Sequence, residues 1–246
     1  METLKADHTP EAVRKRLTAP PQASYLRDFV YGAIDGAVTT FAVVAGVEGA
    51  DLSPNIVIIL GFANLVADGF SMAASNYLGT RSETQQRERA HQEELRQIEL
   101  IPEGEREEIR QLYAAKGFTG DDLERAVEII TADRDLWAET MLREELGYGS
   151  EVVHPLRAAA STLLAFVLVG FLPLGAFVYD LVLPGDVASP FIWSAVLTAF
   201  AFIAVGALKA RFVDQPAWRS ALETLAVGGA AAVLAYALGT VLQGVA

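Results

Sequence analysis

"GFANLVADGFSMAASNYLG", residues 61–79, decides how the rest of the chain is read. Its small and apolar residues suit a membrane-spanning helix, yet Asn64, Asp68, Met72 and Asn76 recur every four residues. Residues four apart lie on nearly one face of a helix, so this period draws a polar track through a segment otherwise compatible with lipid. Ser71 and Ser75 sit beside it.

The surrounding composition supports a membrane setting. Of 246 residues 52% are hydrophobic, and they gather into five long blocks at roughly 29–47, 56–78, 158–180, 187–208 and 221–243. Each block is long enough to cross a hydrocarbon layer of about 30 Å. The chain has no ten-residue alternating pattern of the kind barrel strands show, so lipid-facing backbone must satisfy its hydrogen bonds within helices. An all-α membrane protein with five transmembrane helices is expected. The expected divisions are an N-terminal segment 1–26, transmembrane helices 1 and 2 in 27–80, an inserted helical module 81–155, and transmembrane helices 3 to 5 in 156–246.

Basic residues set the orientation. Lys5, Arg14, Lys15, Arg16 and Arg27 precede the first block, ten Lys/Arg lie between the second and third, and Lys209, Arg211 and Arg219 flank the turn between the fourth and fifth. The opposite loops, 48–55 and 181–190, and the C-terminal tail carry none. The positive-inside rule therefore puts the N-terminus and the 81–155 module in the cytoplasm and the C-terminus outside. No signal peptide or other targeting segment is read before the first span, which suits a bacterial inner membrane. The chain has no cysteine, so structural disulfides and thiolate metal sites are both excluded. No nucleic-acid partner is expected of a chain with net charge −12.

Residues 81–151 are different material, with 19 acidic against 10 basic residues, a net of −9. The second span is expected to continue through "RSETQQRERAHQEELRQIEL", and Pro102 marks a fresh helix start. Gly117 reads as a helix C-cap followed by hydrophobic Phe118. Thr119 and Asp122 suit the cap of a third helix, and Asp133 or Asp135 opens a fourth that ends at Gly147.

Two acids inside spans need a reason. Asp35 lies in the first block, with Thr39 one turn on, and Asp68 in the second; burying a carboxylate near the bilayer centre costs roughly 3 kcal/mol on insertion scales. Such a group either hydrogen-bonds between helices or faces a cavity or an ion path. Met72 and Met141 each stand one turn from an acid, Asp68 and Glu145. A lone Met is ordinarily core filler, but carboxylate oxygen with thioether sulfur suits a borderline transition metal better than Ca²⁺ or Mg²⁺. In the module, Glu93 and Glu94, Glu105 and Glu108, and Glu144 and Glu145 are either a solvated helix face or, if the helices bundle, a converging set of ligands. Glu223, at the start of the fifth span, reads as an interfacial acid satisfied by a neighbouring Arg.

"RDFVYGAIDGAVTTFAVVAGV" at 27–47, "GFSMAASNYLGTRSE" at 69–83, "WAETMLREELG" at 137–147 and "RSALETLAVGGAA" at 219–231 together resemble the vacuolar iron transporter family, in a bacterial-type member. The resemblance implies a homodimeric transporter rather than an enzyme, with five membrane helices and a cytoplasmic metal-binding module between helices 2 and 3, moving Fe²⁺ out of the cytosol in exchange for protons. It assigns pathway roles to Asp35 and Met72 and module ligand roles to Glu94, Glu105, Glu108, Met141 and Glu145. A glutamate usual in the plant members falls at Asn64, for which Asp68, one turn away, is the replacement. Gln97 stands where a glutamate is usual and Leu142 where a second methionine often sits, with Glu93 or His91 as stand-ins. Mn²⁺, Co²⁺ and Zn²⁺ accept similar oxygen-rich sites, and so belong beside Fe²⁺ as candidate ions. A desolvated carboxylate favours its neutral form and a divalent cation the ionised one, so metal and protons should exchange. Two other functions fit the same residues: a membrane-anchored metal buffer or sensor, and a divalent-cation channel without proton exchange.

Overall fold

The computed structural model describes residues 8–18, 24–149, 153–186 and 188–244. Of the positions in the charge count, Lys5, the side chain of Arg16 and Glu151 lie outside it. The described residues contain ten helices and no strand. They are α1 (Pro10–Thr18), α2 (Leu26–Gly49), α3 (Pro54–Leu100), α4 (Pro102–Ala115), α5 (Gly120–Thr131), α6 (Arg134–Glu144), α7 (Pro155–Gly170), α8 (Leu172–Val182), α9 (Pro190–Val213) and α10 (Ala217–Leu242). The chain divides into two compact units, one of residues 1–23 and 81–153, the other of 24–80 and 154–246.

In the second unit α2, α3, α9 and α10 are each long and apolar enough to cross a membrane. The expected third span, 158–180, is broken: α7 and α8 meet at Phe171 with a 49° bend and make a fifth crossing when counted together. Pro173 is the physical reason. A proline inside a helix has no N–H to donate and its ring crowds the carbonyl four residues back, here Val169. Ser194 of α9 donates its hydroxyl to the carbonyl of Pro173 at 2.5 Å, tying α9 to the start of α8.

Helix α2 is the hub of this unit, packing against α7, α10, α9 and α8. The approach to α7 is backbone to backbone. A Cβ at Gly32 would overlap the carbonyl of Thr162, and one at Gly36 the carbonyl of Phe166. Gly239 on α10 faces the carbonyl of Gly46 in the same way. Small residues allow this contact where lipid supplies no hydrophobic drive between helices. Phe41, Val44, Val47, Val57, Leu65, Phe166, Leu174 and Phe177 fill the space that remains. Helix α3 meets the side chains of its neighbours, Gly61 against Leu174 and Gly69 against Phe166, while Ile59, Val66 and Phe70 project outward at 67%, 71% and 68% exposure.

The first unit closes around Ile98, Ile109, Val127, Ile130, Trp137, Ala138 and Met141, drawn from α3 to α6. Local chemistry sets its boundaries. Gly117 sits at φ +97°, its N–H reaching the carbonyl of Ala114 while that of Phe118 reaches Tyr113. The Tyr113 and Phe118 rings meet edge to face at 5.5 Å, completing a Schellman-type stop. Thr119 occupies the N-cap position of α5 without a side-chain cap bond. Asp133, rather than Asp135, caps α6, accepting from the amides of Asp135 and Leu136 at 3.0 and 3.1 Å. That helix ends at Glu144, three residues before Gly147, whose φ of +72° turns the chain.

The glycine contact yields a test. Gly36→Val should lower stability by about 2–3 kcal/mol or more through overpacking, read as a drop in melting temperature of the detergent-solubilised protein. Gly79→Ala, where an added Cβ meets nothing within 4 Å, should leave it unchanged or higher. Equal melting of the two variants would remove the close approach as a determinant of the fold.

Candidate functional site

Two groups of side chains carry candidate chemistry, one in each unit. Within 81–151, 19 acidic residues share 10 basic ones, and the pairing is selective. Glu139 holds Arg87 through both oxygens at 2.9 Å, Glu99 holds Arg134 at 3.2 Å, Glu144 holds Lys116 at 2.5 Å, and Arg110 bridges Glu124 and Glu107. Glu93 is drawn to Arg96 at 3.4 Å. None of these pairs involves Glu94, Glu105, Glu108 or Glu145, which instead lie close enough to repel one another.

Burial sharpens the contrast. Glu105 is fully buried with neither carboxylate oxygen hydrogen-bonded, and Glu94 is buried with one oxygen orphaned. Met141, also fully buried, is in the adjoining core. Desolvation, reinforced by the neighbouring carboxylates, pushes Glu94 and Glu105 up to about 7. Burial and Glu108 push Glu145 upward as well. A buried acid with no cation and no donor is costly, and it becomes affordable by taking up a proton or a metal. Among the described residues no three His, Asp or Glu side chains stand in a ligating arrangement. Gln97 is half-buried on α3 and Leu142 buried on α6, neither supplying a charged ligand. Glu93 is committed to Arg96, which weakens it as a stand-in.

In the unit of spans, Asp35 on α2 and Asp68 on α3 are half-buried and within Coulombic range of each other. Asp68 lines a groove of about 590 Å³ with Asn64, Ser71, Leu60, Ala63, Ala67 and Val43. Asn64 donates its amide to Thr39 and Thr40 on α2 at 3.2 and 3.3 Å. Met72 does not share that groove; it packs against the apolar cluster around Phe166 and Leu65. Asn76 donates to the carboxylate of Asp28 at 3.0 Å and to the hydroxyl of Thr162 at 2.6 Å. Asp28 and Thr162 were not singled out from the sequence. Their signal was available: an acid at the opening of the first span, in register with Asp35 seven residues on. Glu223 pairs with Lys209 of α9 at 2.9 Å, a lysine rather than the expected arginine.

Comparison with known proteins fits this layout. A profile of the VIT family matches residues 26–240. The chain is 34% identical to a vacuolar iron transporter of Toxoplasma gondii over 229 residues, covering 90% of this chain and 75% of that protein. It is 31% identical to vacuolar iron transporter 1 of Arabidopsis thaliana over 243 residues, 98% of this chain and 93% of the relative. A vacuolar iron transporter of Plasmodium falciparum is 32% identical over 227 residues, with 89% and 82% covered. With two spans' worth of polar positions, an acidic insert and a match running from the first span to the last, the chain belongs to the VIT family.

Proposed function

We propose that this protein exports Fe²⁺ from the cytoplasm across a membrane in exchange for protons, with Mn²⁺ and other divalent transition metals as further substrates. The observation that carries the reading is the selective pairing in the acidic module: Glu94, Glu105, Glu108 and Glu145 lie close to one another while the surrounding acids take arginines and lysines. The names of the relatives, all vacuolar iron transporters, support iron as the cargo. The basic-residue distribution supports a cytoplasmic module and an outward C-terminus, in an arrangement suited to a bacterial inner membrane.

In this reading the module collects metal and the spans pass it on. Asp35 and Asp68 form the intramembrane station, with Met72 a contributor only if α3 turns its thioether out of the core. Asn64 holds α3 against α2 beside that station. The groove over Asp68 leaves an acid facing outward from the span bundle, and a lipid neighbour would be costly. A second copy of the chain covering that groove makes the homodimer the functional form.

Protons enter through the same carboxylates. Glu94 and Glu105, at about 7, are partly protonated near neutral pH, so a captured divalent ion displaces protons. The stability consequence has a definite sign. The folded module holds protons that the unfolded chain releases between about 4.5 and about 7, so this contribution is fully present below the lower value and is lost as pH rises through the upper one.

Three measurements follow. In proteoliposomes, Fe²⁺ uptake should accelerate with an opposing proton gradient, whereas a buffer would show no uptake and a channel no response to the gradient. Asp35→Asn should reduce uptake to background while the protein remains folded and dimeric; wild-type rates in that variant would exclude Asp35 from the path. Metal-free protein should melt at lower temperature near pH 8 than near pH 6, and Glu105→Gln should flatten that dependence while weakening Mn²⁺ or Zn²⁺ binding by about tenfold or more. An unchanged pH dependence would contradict the buried, cation-free state of Glu105.

A further inference from the structure

The spans contain a polar junction that the transport path does not use. Asp28 on α2 is 8% exposed, Thr162 on α7 is 1% exposed, and Asn76 on α3 lies between them. Every polar atom of the Asn76 amide is engaged. Its nitrogen donates to Oδ1 of Asp28 at 3.0 Å and to Oγ1 of Thr162 at 2.6 Å, and its oxygen accepts from the hydroxyl of Thr80 at 3.1 Å. The Thr162 hydroxyl in turn donates to the backbone carbonyls of Ala158 and Asp28, at 3.1 and 3.4 Å. Three helices meet in one closed hydrogen-bond network.

Position along the helices gives the junction its meaning. Asp28 precedes Asp35 by seven residues, two turns on one face of α2, and Asn76 follows Asp68 by eight on α3, so the junction lies about 10–12 Å from the acid pair. On the other side, Asn64 ties α3 to Thr39 and Thr40, each within five residues of Asp35. The Asp35–Asp68 pair is thus bracketed by two asparagine clamps. Both clamps reach from α3 to its neighbours through side-chain amides, and so bear directly on the register of α3 beside the acid pair.

We propose that Asp28 is a positioning carboxylate, gripped by Asn76, that locks α2, α3 and α7 so that Asp68 stays opposite Asp35. Its work is to accept a hydrogen bond, not to bind the transported ion. The network favours this over a ligand role, because Oδ1 and both ends of the Asn76 amide already have partners. The proposal rests on the reading of Asp35 and Asp68 as the translocating pair.

Substitutions that separate acceptor from charge provide the test, with Fe²⁺ flux measured in proteoliposomes and metal binding to the full-length protein measured beside it. Asp28→Asn keeps an oxygen acceptor for Asn76 and should transport at close to the wild-type rate. Asp28→Ala and Asn76→Leu remove the clamp and should slow maximal flux on the order of tenfold or more, because small misplacements of reacting groups have large effects; metal binding should not change. The exchange Asp28→Asn with Asn76→Asp reverses donor and acceptor across the same gap and should recover much of the rate. Flux in Asp28→Asn as low as in Asp35→Asn would overturn the proposal and make Asp28 an ion ligand. Full flux in Asn76→Leu would overturn it by showing that the junction sets nothing. If Asp35→Asn itself transports normally, the translocating pair is wrong, a failure distinct from either. Should Asp28→Ala not fold, the conservative and exchanged variants still decide between these outcomes.

Discussion

A carboxylate removed from water, with no cation beside it, is the constraint on which this molecule turns. Glu105 is the extreme case, fully buried with both oxygens unpartnered. The module contains enough basic residues to neutralise it, yet Arg87, Arg110, Lys116 and Arg134 are directed to other acids. Each of those ion pairs is partly exposed and contributes little by itself. Their collective effect is to leave one set of acids without an internal counter-charge, so that a proton or a metal ion must supply it. A module optimised for its own stability would have paired Glu105 or replaced it with an apolar residue.

The spans obey the same constraint with different means. Lipid cannot solvate Asp28, Asp35 or Asp68, and the three are treated differently. The Asp28 carboxylate accepts from Asn76 of α3, while Asp35 and Asp68 lie within Coulombic range of each other and Asp68 lines a groove. Holding two like charges near one another requires rigid supports, and the glycine contacts at Gly32 and Gly36 provide one of them by fixing α2 on α7 through the backbone. Helix α3 lacks such contacts and relies on amide hydrogen bonds.

Much of the fold was legible because local chemistry dictated it. The stop at Gly117 and Phe118 follows from glycine's freedom at positive φ, and the start at Asp133 from a carboxylate's affinity for orphan amides. The break at Phe171 was missed, since hydropathy passes smoothly through "GFLPLG" and only the backbone consequence of Pro173 interrupts it. The polar stripe of α3 was read as one straight track, which helix geometry does not allow. At 3.6 residues per turn each step of four advances about 40°, so three steps carry the side chain about 120° around the axis. Asn64 consequently meets α2, Asp68 the groove, Met72 the apolar core and Asn76 the junction with α7. A four-residue repeat drew attention to the right positions and gave them too uniform a purpose. The four glutamates of the module were easier to select, because a family resemblance named them, but their isolation from every basic neighbour is a tertiary property that no spacing encodes.

In the proposed function, the carboxylates that weaken the metal-free module are also what would let it release its cargo. Groups titrating at about 7 sit where a modest change of pH or of metal concentration changes their state. Had Glu94 and Glu105 kept ordinary carboxylate acidity, they would be ionised throughout the neutral range, and metal capture would expel almost no protons. Had they been shifted much further, protons would exclude the metal. The loss of charge at Gln97 acts in the same direction as this balance: one fewer anion lowers both the electrostatic affinity for a divalent ion and the mutual repulsion that raises the remaining acids. If the module collects an ion that it must hand onward, maximal affinity gains it nothing, and four glutamates without a counter-charge would supply attraction without a closed cage.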